Sequence, residues 1–166
     1  NTYGLFSVMT KTRPEIVFEM STDGKEWEEL KFKWKPVHLN EPPGWIQPHQ
    51  PRLDWQLWFA GLYYEQVLRV FQRVYGRMPE SYDEIHHFIY GNLRRTYHKH
   101  VWVHNLMESI LSESPSVLKL ISPEDLPTGR TTIRAWLYDY HFTRSNSTNW
   151  WVRDNKRLLF PSFSLK

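Results

Sequence analysis

Hydrophobic and polar positions change their period twice along this chain, and each change marks a boundary. Near the N-terminus the period is two. Glu15-Ile16-Val17-Phe18-Glu19-Met20 sets Ile16, Phe18 and Met20 on one side, and Leu30-Lys31-Phe32-Lys33-Trp34-Lys35 sets Leu30, Phe32 and Trp34 against three lysines. Such alternation belongs to strands with one wet face, and the turn-rich Ser21-Thr22-Asp23-Gly24 between the two runs predicts an antiparallel pair. Residues 1–36 therefore read as strands. The loop from Asp23 to Trp27 is longer than a two-residue turn, so its geometry stays open.

A proline-dense stretch follows, with Pro36, Pro42, Pro43, Pro48 and Pro51. Each ring fixes its own φ and disfavours helix in the residue before it, so 37–51 reads as a stiff, extended connection. Pro51 then suits the first turn of a helix, and Asp54 complements the helix dipole there. Trp55, Trp58, Phe59, Leu62, Val67, Leu68, Phe71, Val74 and Tyr75 predict a helix from Arg52 to Tyr75 with most of its circumference buried. A second helix is predicted from Ser81, an N-cap ahead of Glu84, to Tyr97. A third runs from Val101 to Ser112 and a short one from Ser116 to Ile121, which makes 52–122 helical.

The second change restores period two. Thr131 to Thr143 is β-branched and aromatic, with Trp136, Tyr138, Tyr140 and Phe142 on one side. Trp150-Trp151-Val152-Arg153, after a polar loop, is its hairpin partner, so 131–166 reads as strands and a tail. Strands at both ends with helices between them predict an α+β fold. Its antiparallel sheet would be made of N- and C-terminal segments packed against a central helical region.

Composition narrows the function classes. A chain of 166 residues can bury one sizeable core, and nine tryptophans with 16% aromatic residues favour a packed domain over disorder. The net charge of +3 is spread over Lys31, Lys33, Lys35, Arg94, Arg95 and Lys99, which gives no dense basic stripe, so nucleic acid is not an expected partner. With no cysteine there is neither a disulfide framework nor a thiolate site. The uncharged run from Trp55 to Tyr64 is far shorter than the ~20 residues of a membrane helix. The chain starts Asn1-Thr2-Tyr3, and we expect it to be part of a longer polypeptide. Asn146-Ser147-Thr148 is an N-glycosylation sequon, meaningful where the segment is lumenal.

Candidate chemistry is sparse. His98, His100 and His104 lie close in sequence, and His100 and His104 have the i, i+4 spacing of two ligands on one helix face. The glutamate of a complete His-Glu-x-x-His motif is missing. His86 and His87 with Asp83 and Glu84 form no motif either, and polar helix histidines are the reading for both groups. No Gly-x-Ser-x-Gly elbow and no phosphate loop is present, so no catalytic residue, metal or cofactor is assigned. The stretch Pro48-His49-Gln50-Pro51-Arg52-Leu53-Asp54-Trp55 reads instead as a helix entrance. His49, Arg52 and Asp54 would form a polar clamp between the proline-rich connection and the helix, with Trp55, Trp58 and Phe59 serving the integrity of the domain.

Those motifs resemble a known family. NTYGLFSVMT, RPEIVFEMSTDGKEWEELKFKWKP and PHQPRLDWQLWFAG, then WVHNLMESILSESPSVLKLI, IRAWLYDYHFT and NWWVRDNKRLLFPSFSLK, are similar in order and spacing to the C-terminal region of the lipase maturation factor family. In detail the spelling is closer to the family's second factor than to its first. The similarity is interrupted from Tyr63 to Lys99, read as a helical insertion at 63–99. The resemblance implies that 1–166 is a single C-terminal domain facing the lumen of the endoplasmic reticulum, in a protein anchored in the membrane by segments outside this chain. It implies a non-enzymatic, chaperone-like folding factor whose partners are client proteins, lipases among them. The alternative is a structural subunit that docks a larger membrane assembly.

Overall fold

In a computed structural model the first alternating run forms strand β1 (Pro14–Ser21) and pairs in two directions. The structure describes residues 12–42, 44–45, 51–93, 97–121, 129–144 and 146–165, without the side chains of Tyr82 and of 97–100. One neighbour of β1 is the short β2 (Glu28–Glu29); the other is β3 (Thr132–Phe142), which pairs in turn with β4 (Trp151–Ser164). The sheet order is β2-β1-β3-β4, antiparallel throughout. The ends of the chain therefore share one sheet, and the α+β expectation holds.

Register explains the core. Ile16 faces Leu137, Phe18 faces Ala135 and Met20 faces Ile133, which puts the apolar sides of β1 and β3 on one surface. Helices α1 (Arg52–Tyr75), α2 (Tyr82–Asn92) and α3 (Tyr97–Leu111) cover that surface; a one-turn α4 (Pro115–Leu118) follows. Leu57, Tyr64, Leu68 and Phe71 of α1, Ile89 of α2 and Val103, Met107 and Ile110 of α3 are buried against it. The opposite face of β3 is buried too: Tyr138 and Tyr140 join Val17, Val37 and Trp151 in a second, smaller cluster. Tyr140 donates its hydroxyl to the Val37 carbonyl at 3.2 Å, and desolvation lifts that phenol to about 12.

Several expectations need correction. Residues 30–35 do not extend a strand; only Phe32 forms an isolated bridge, to Ile121. Leu30 N–H still reaches the Phe18 carbonyl of β1, but Lys33 N–H goes to the Leu120 carbonyl and Trp34 N–H to the Asp54 carboxylate. Leu30 and Phe32 are buried as the alternation requires, but Trp34 is exposed and Lys35 is buried. Second, α1 buries one stripe rather than most of its circumference, leaving Trp55, Phe59, Val70, Val74 and Tyr75 exposed. Its buried stripe meets β1 and α3, and Phe71 packs edge-on against Phe88 of α2 at 5.1 Å. Third, α2 stops at Asn92, where the Leu93 N–H still reaches the Ile89 carbonyl, and α3 begins at Tyr97. Fourth, β4 is a full strand instead of a short partner with a tail. Its pairing shifts register between Ile133 and Asp139, and Asn155 has φ of 49°, so bulges erase the alternation that would have announced it.

The short helix expected at 116–121 is a single turn, Pro115–Leu118, with Ile121 bridged to Phe32, whereas the cap of α2 and the end of α1 agree with their residue types. Ser81 caps α2 by accepting the Glu84 N–H, and Gly76, left-handed at φ 70°, ends α1 by donating to the Gln72 carbonyl. Pro51 takes the N-cap of α1 instead of its first turn.

Candidate functional site

The entrance of α1 is built by three contacts. Gly61 lies where the helix crosses the start of β1: a Cβ placed there would meet the Pro14 carbonyl oxygen at 2.5 Å, so only glycine allows this approach. About two turns earlier, Asp54 accepts the backbone N–H of Trp34 at 3.1 Å and ties the 30–35 segment to the helix. Burial raises the Asp54 carboxyl above its ordinary value, and the Trp34 hydrogen bond and the nearby Lys35 charge partly oppose that rise. Beneath the entrance, Lys35 Nζ meets Glu15 Oε2 at 2.8 Å, with both side chains only 1% exposed. The contact is an ion pair without hydrogen-bond alignment, since neither atom has a hydrogen-bond partner among the described residues. Arg13 Nε supplies the second counter-charge, 2.9 Å from Glu15 Oε1.

Aromatic rings crowd outward from this scaffold. Trp34 is 46% exposed, Trp55 44% and Phe59 37%, and Trp45 stands out at 85%. Phe59 packs between Trp55 and Trp58, at ring separations of 6.0 and 5.2 Å. Trp58 is half-buried, and its indole nitrogen lies inside without a hydrogen-bond partner among the described residues. Gly44 sits against the Trp34 ring. The result is an exposed aromatic surface whose backbone is held by a helix start, a buried ion pair and a glycine contact.

The outward face of the sheet carries another layer, in which every strand contributes charge. Glu19 accepts Arg134 Nε at 2.5 Å and the Trp136 indole N–H at 3.0 Å, and Arg134 lies over the Trp27 ring at 3.8 Å. Arg153 joins Glu29 to the Tyr140 hydroxyl, and it crosses the Tyr138 ring at 4.6 Å. These cations are paired and stacked, which makes the layer a cross-strand brace.

Among the sequence-predicted residues, the structure brings Asp54, Trp55 and Trp58 together at the α1 entrance. Arg52 is there too, exposed and without a hydrogen bond to described residues. His49 lies outside the described residues, so the clamp is seen only through Asp54, which holds the 30–35 segment. Asn146 is exposed in the β3–β4 loop. His104 stacks on Phe163 at 5.1 Å, and His87 Nδ1 donates to the Asp83 carbonyl; the side chains of His98 and His100 lie outside the described set. Among the described residues no three metal-type side chains come together, and no helix is long and apolar enough to cross a membrane. Sequence reasoning missed the Glu15–Lys35 pair and the exposure of Trp34. A lysine on an alternating strand gives no sign of burial.

Known proteins were compared with the chain. The model of the lipase maturation factor C-terminal domain matches residues 1–92 and 82–161. Lipase maturation factor 2 of Mus musculus is 32% identical over 173 residues, covering 99% of this chain and 20% of the relative; that of Homo sapiens is 33% identical with the same coverage. Lipase maturation factor 1 of Homo sapiens is 27% identical over 180 residues, covering 100% of this chain and 26% of the relative. The chain thus spans about a fifth of the length of the second-factor relatives. No solved structure matches it. With the family model matching most of its length, the chain belongs to the lipase maturation factor family, as a C-terminal domain.

Proposed function

We propose that this chain is the lumen-facing domain of an endoplasmic reticulum membrane protein and acts there as a non-enzymatic aid to the folding and assembly of secreted, lipase-type clients. The relatives' names supply the client class. The observation that carries the mechanism is the exposed aromatic surface of Trp34, Trp55 and Phe59 on a rigid base. An unassembled dimer interface presents apolar area that aggregates unless covered. Aromatic rings on a fixed backbone cover such area at small entropic cost, and they release it once the client's own interface closes.

The test uses cells lacking the endogenous parent factor. Secreted lipase activity per unit of lipase protein is compared with the full-length parent absent, restored, and restored as Trp55→Ala/Phe59→Ala. These side chains lie outside the buried core, so the variant should accumulate normally while the specific activity of the lipase falls. Full rescue by the variant would remove this surface from the mechanism. No rescue by a correctly placed wild-type parent would remove lipases as clients.

A second reading, a docking subunit of a larger membrane assembly, is favoured by a different stripe. Val70, Val74 and Tyr75 of α1 and Tyr90 of α2 are exposed within 63–99. A stoichiometric partner that co-purifies with the parent in detergent and is lost in Val74→Glu would support it.

A further inference from the structure

We propose that Asn146 is an N-glycosylation site whose glycan shields the exposed apolar side chains at the start of β4; this rests on the lumenal placement argued above. Asn146-Ser147-Thr148 is the sole Asn-x-Ser/Thr sequence in the 166 residues. The fold places it at the loop joining β3 to β4, with Asn146, Ser147 and Thr148 all exposed. The loop is tightly closed: Ser147 N–H donates to the Arg144 carbonyl at 3.1 Å, Asn149 N–H to the Ser147 hydroxyl at 3.1 Å, and Thr143 N–H to the Trp150 carbonyl at 3.2 Å. A bulky substituent there meets no core residue, so the folded domain accommodates it.

The position also has a use. The backbone at the start of β4 is already covered: the Trp150 and Trp151 N–H groups both donate to the Leu39 carbonyl, at 2.9 and 3.0 Å, and the Trp151 indole donates to the Glu41 carbonyl. The side chains of Phe142, Trp150 and Val152 nevertheless stay exposed beside the sequon. Exposed apolar side chains grouped in this way invite contact with other chains. A hydrated oligosaccharide on the adjoining loop hinders that contact.

The step requires a lipid-pyrophosphate-linked oligosaccharide as donor. Asn146 Nδ2 forms a bond to the anomeric carbon of the first sugar, whose bond to the pyrophosphate oxygen breaks. The lipid pyrophosphate leaves with the electron pair, and the amide proton passes to a base of the transferase.

The experiment expresses the full-length parent in mammalian cells and follows the tryptic peptide from Ser145 to Arg153 by mass spectrometry before and after enzymatic removal of N-glycans. The expected result is a peptide seen only after deglycosylation, with Asn146 converted to aspartate; in Thr148→Ala it is seen unmodified without treatment. A parallel Gly129→Asn variant creates an Asn-Arg-Thr acceptor at an exposed left-handed position before β3, which asparagine tolerates, and reports whether the domain enters the lumen at all. If that control carries a glycan and the 145–153 peptide does not, the Asn146 proposal is overturned while the lumenal reading survives. If neither carries one, both fall.

Discussion

The buried ion pair beneath the α1 entrance gives the sharpest test of how this domain is held together. Glu15 and Lys35 are each 1% exposed, and Arg13 makes a second contact with Glu15 from a partly exposed position. The two partners are therefore not equivalent. Glu15→Gln leaves Lys35 buried without its counter-charge and should cost about 3–5 kcal/mol, the usual result of breaking a buried pair from one side. Lys35→Met keeps the aliphatic stem and leaves Glu15 with Arg13, so its cost should be lower, about 1–3 kcal/mol. The double variant removes both buried charges and should come within ~1 kcal/mol of the wild type, because a buried pair and a packed neutral replacement are often close in energy. Urea unfolding of the domain, followed by tryptophan fluorescence and linear extrapolation, measures all four corners of the cycle. Additive losses, or a Glu15→Gln variant no less stable than Lys35→Met, would refute the account.

Three further outcomes follow from other contacts. Gly61→Ala gains about 1 kcal/mol of helix propensity but drives a Cβ to 2.5 Å from the Pro14 carbonyl, an overpacking cost of ~1–3 kcal/mol; chemical denaturation should show net destabilisation, and a stabilised variant would mean that α1 does not touch β1 there. The Asp54 carboxyl is raised by burial, so the folded state holds its proton more tightly than the unfolded chain does. Its ionisation cost is absent below the ordinary 3.8 and fully present above the raised value; Asp54→Asn, which keeps an acceptor for Trp34, should leave stability at pH 7 equal or higher, and a loss there would count against the assignment. Glu84 is held down to about 2 by Arg77 and by the Glu80 and Ser81 contacts at the start of α2. Its contribution is present above 4.5 and lost as pH falls toward 2, and a carboxyl NMR titration giving an ordinary glutamate value would dismiss the clip.

Much of the architecture was legible because it rests on short-range signals. The 52–75 helix showed in its apolar spacing after Pro51, the second helix carried its cap in Ser81, and Ile16, Phe18 and Met20 announced the buried face of β1. What was not legible depends on partners distant in sequence. Lys35 reads as solvated until Glu15 is known to lie opposite, and Trp34 reads as core until Asp54 takes its N–H. Strand β4 was hidden because a bulged strand has no simple period. The candidate site was only half visible. The motif around Trp55 and Trp58 stood out by its spelling, but which rings face outward is decided by the elements packed against α1, which are distant in sequence.

The sheet order has a consequence for how this domain is born. Strand β1 leaves the ribosome early, while β3, which flanks it, and β4, which pairs with β3, lie more than a hundred residues further along the chain. At about 5–20 residues per second of synthesis, roughly 7–30 s separate the emergence of Pro14 from that of Phe160. For most of that interval β1 has only the two-residue β2 beside it, and Ile16, Phe18 and Met20 lack their β3 partners Leu137, Ala135 and Ile133, so the nascent domain is itself a chain with an uncovered apolar face.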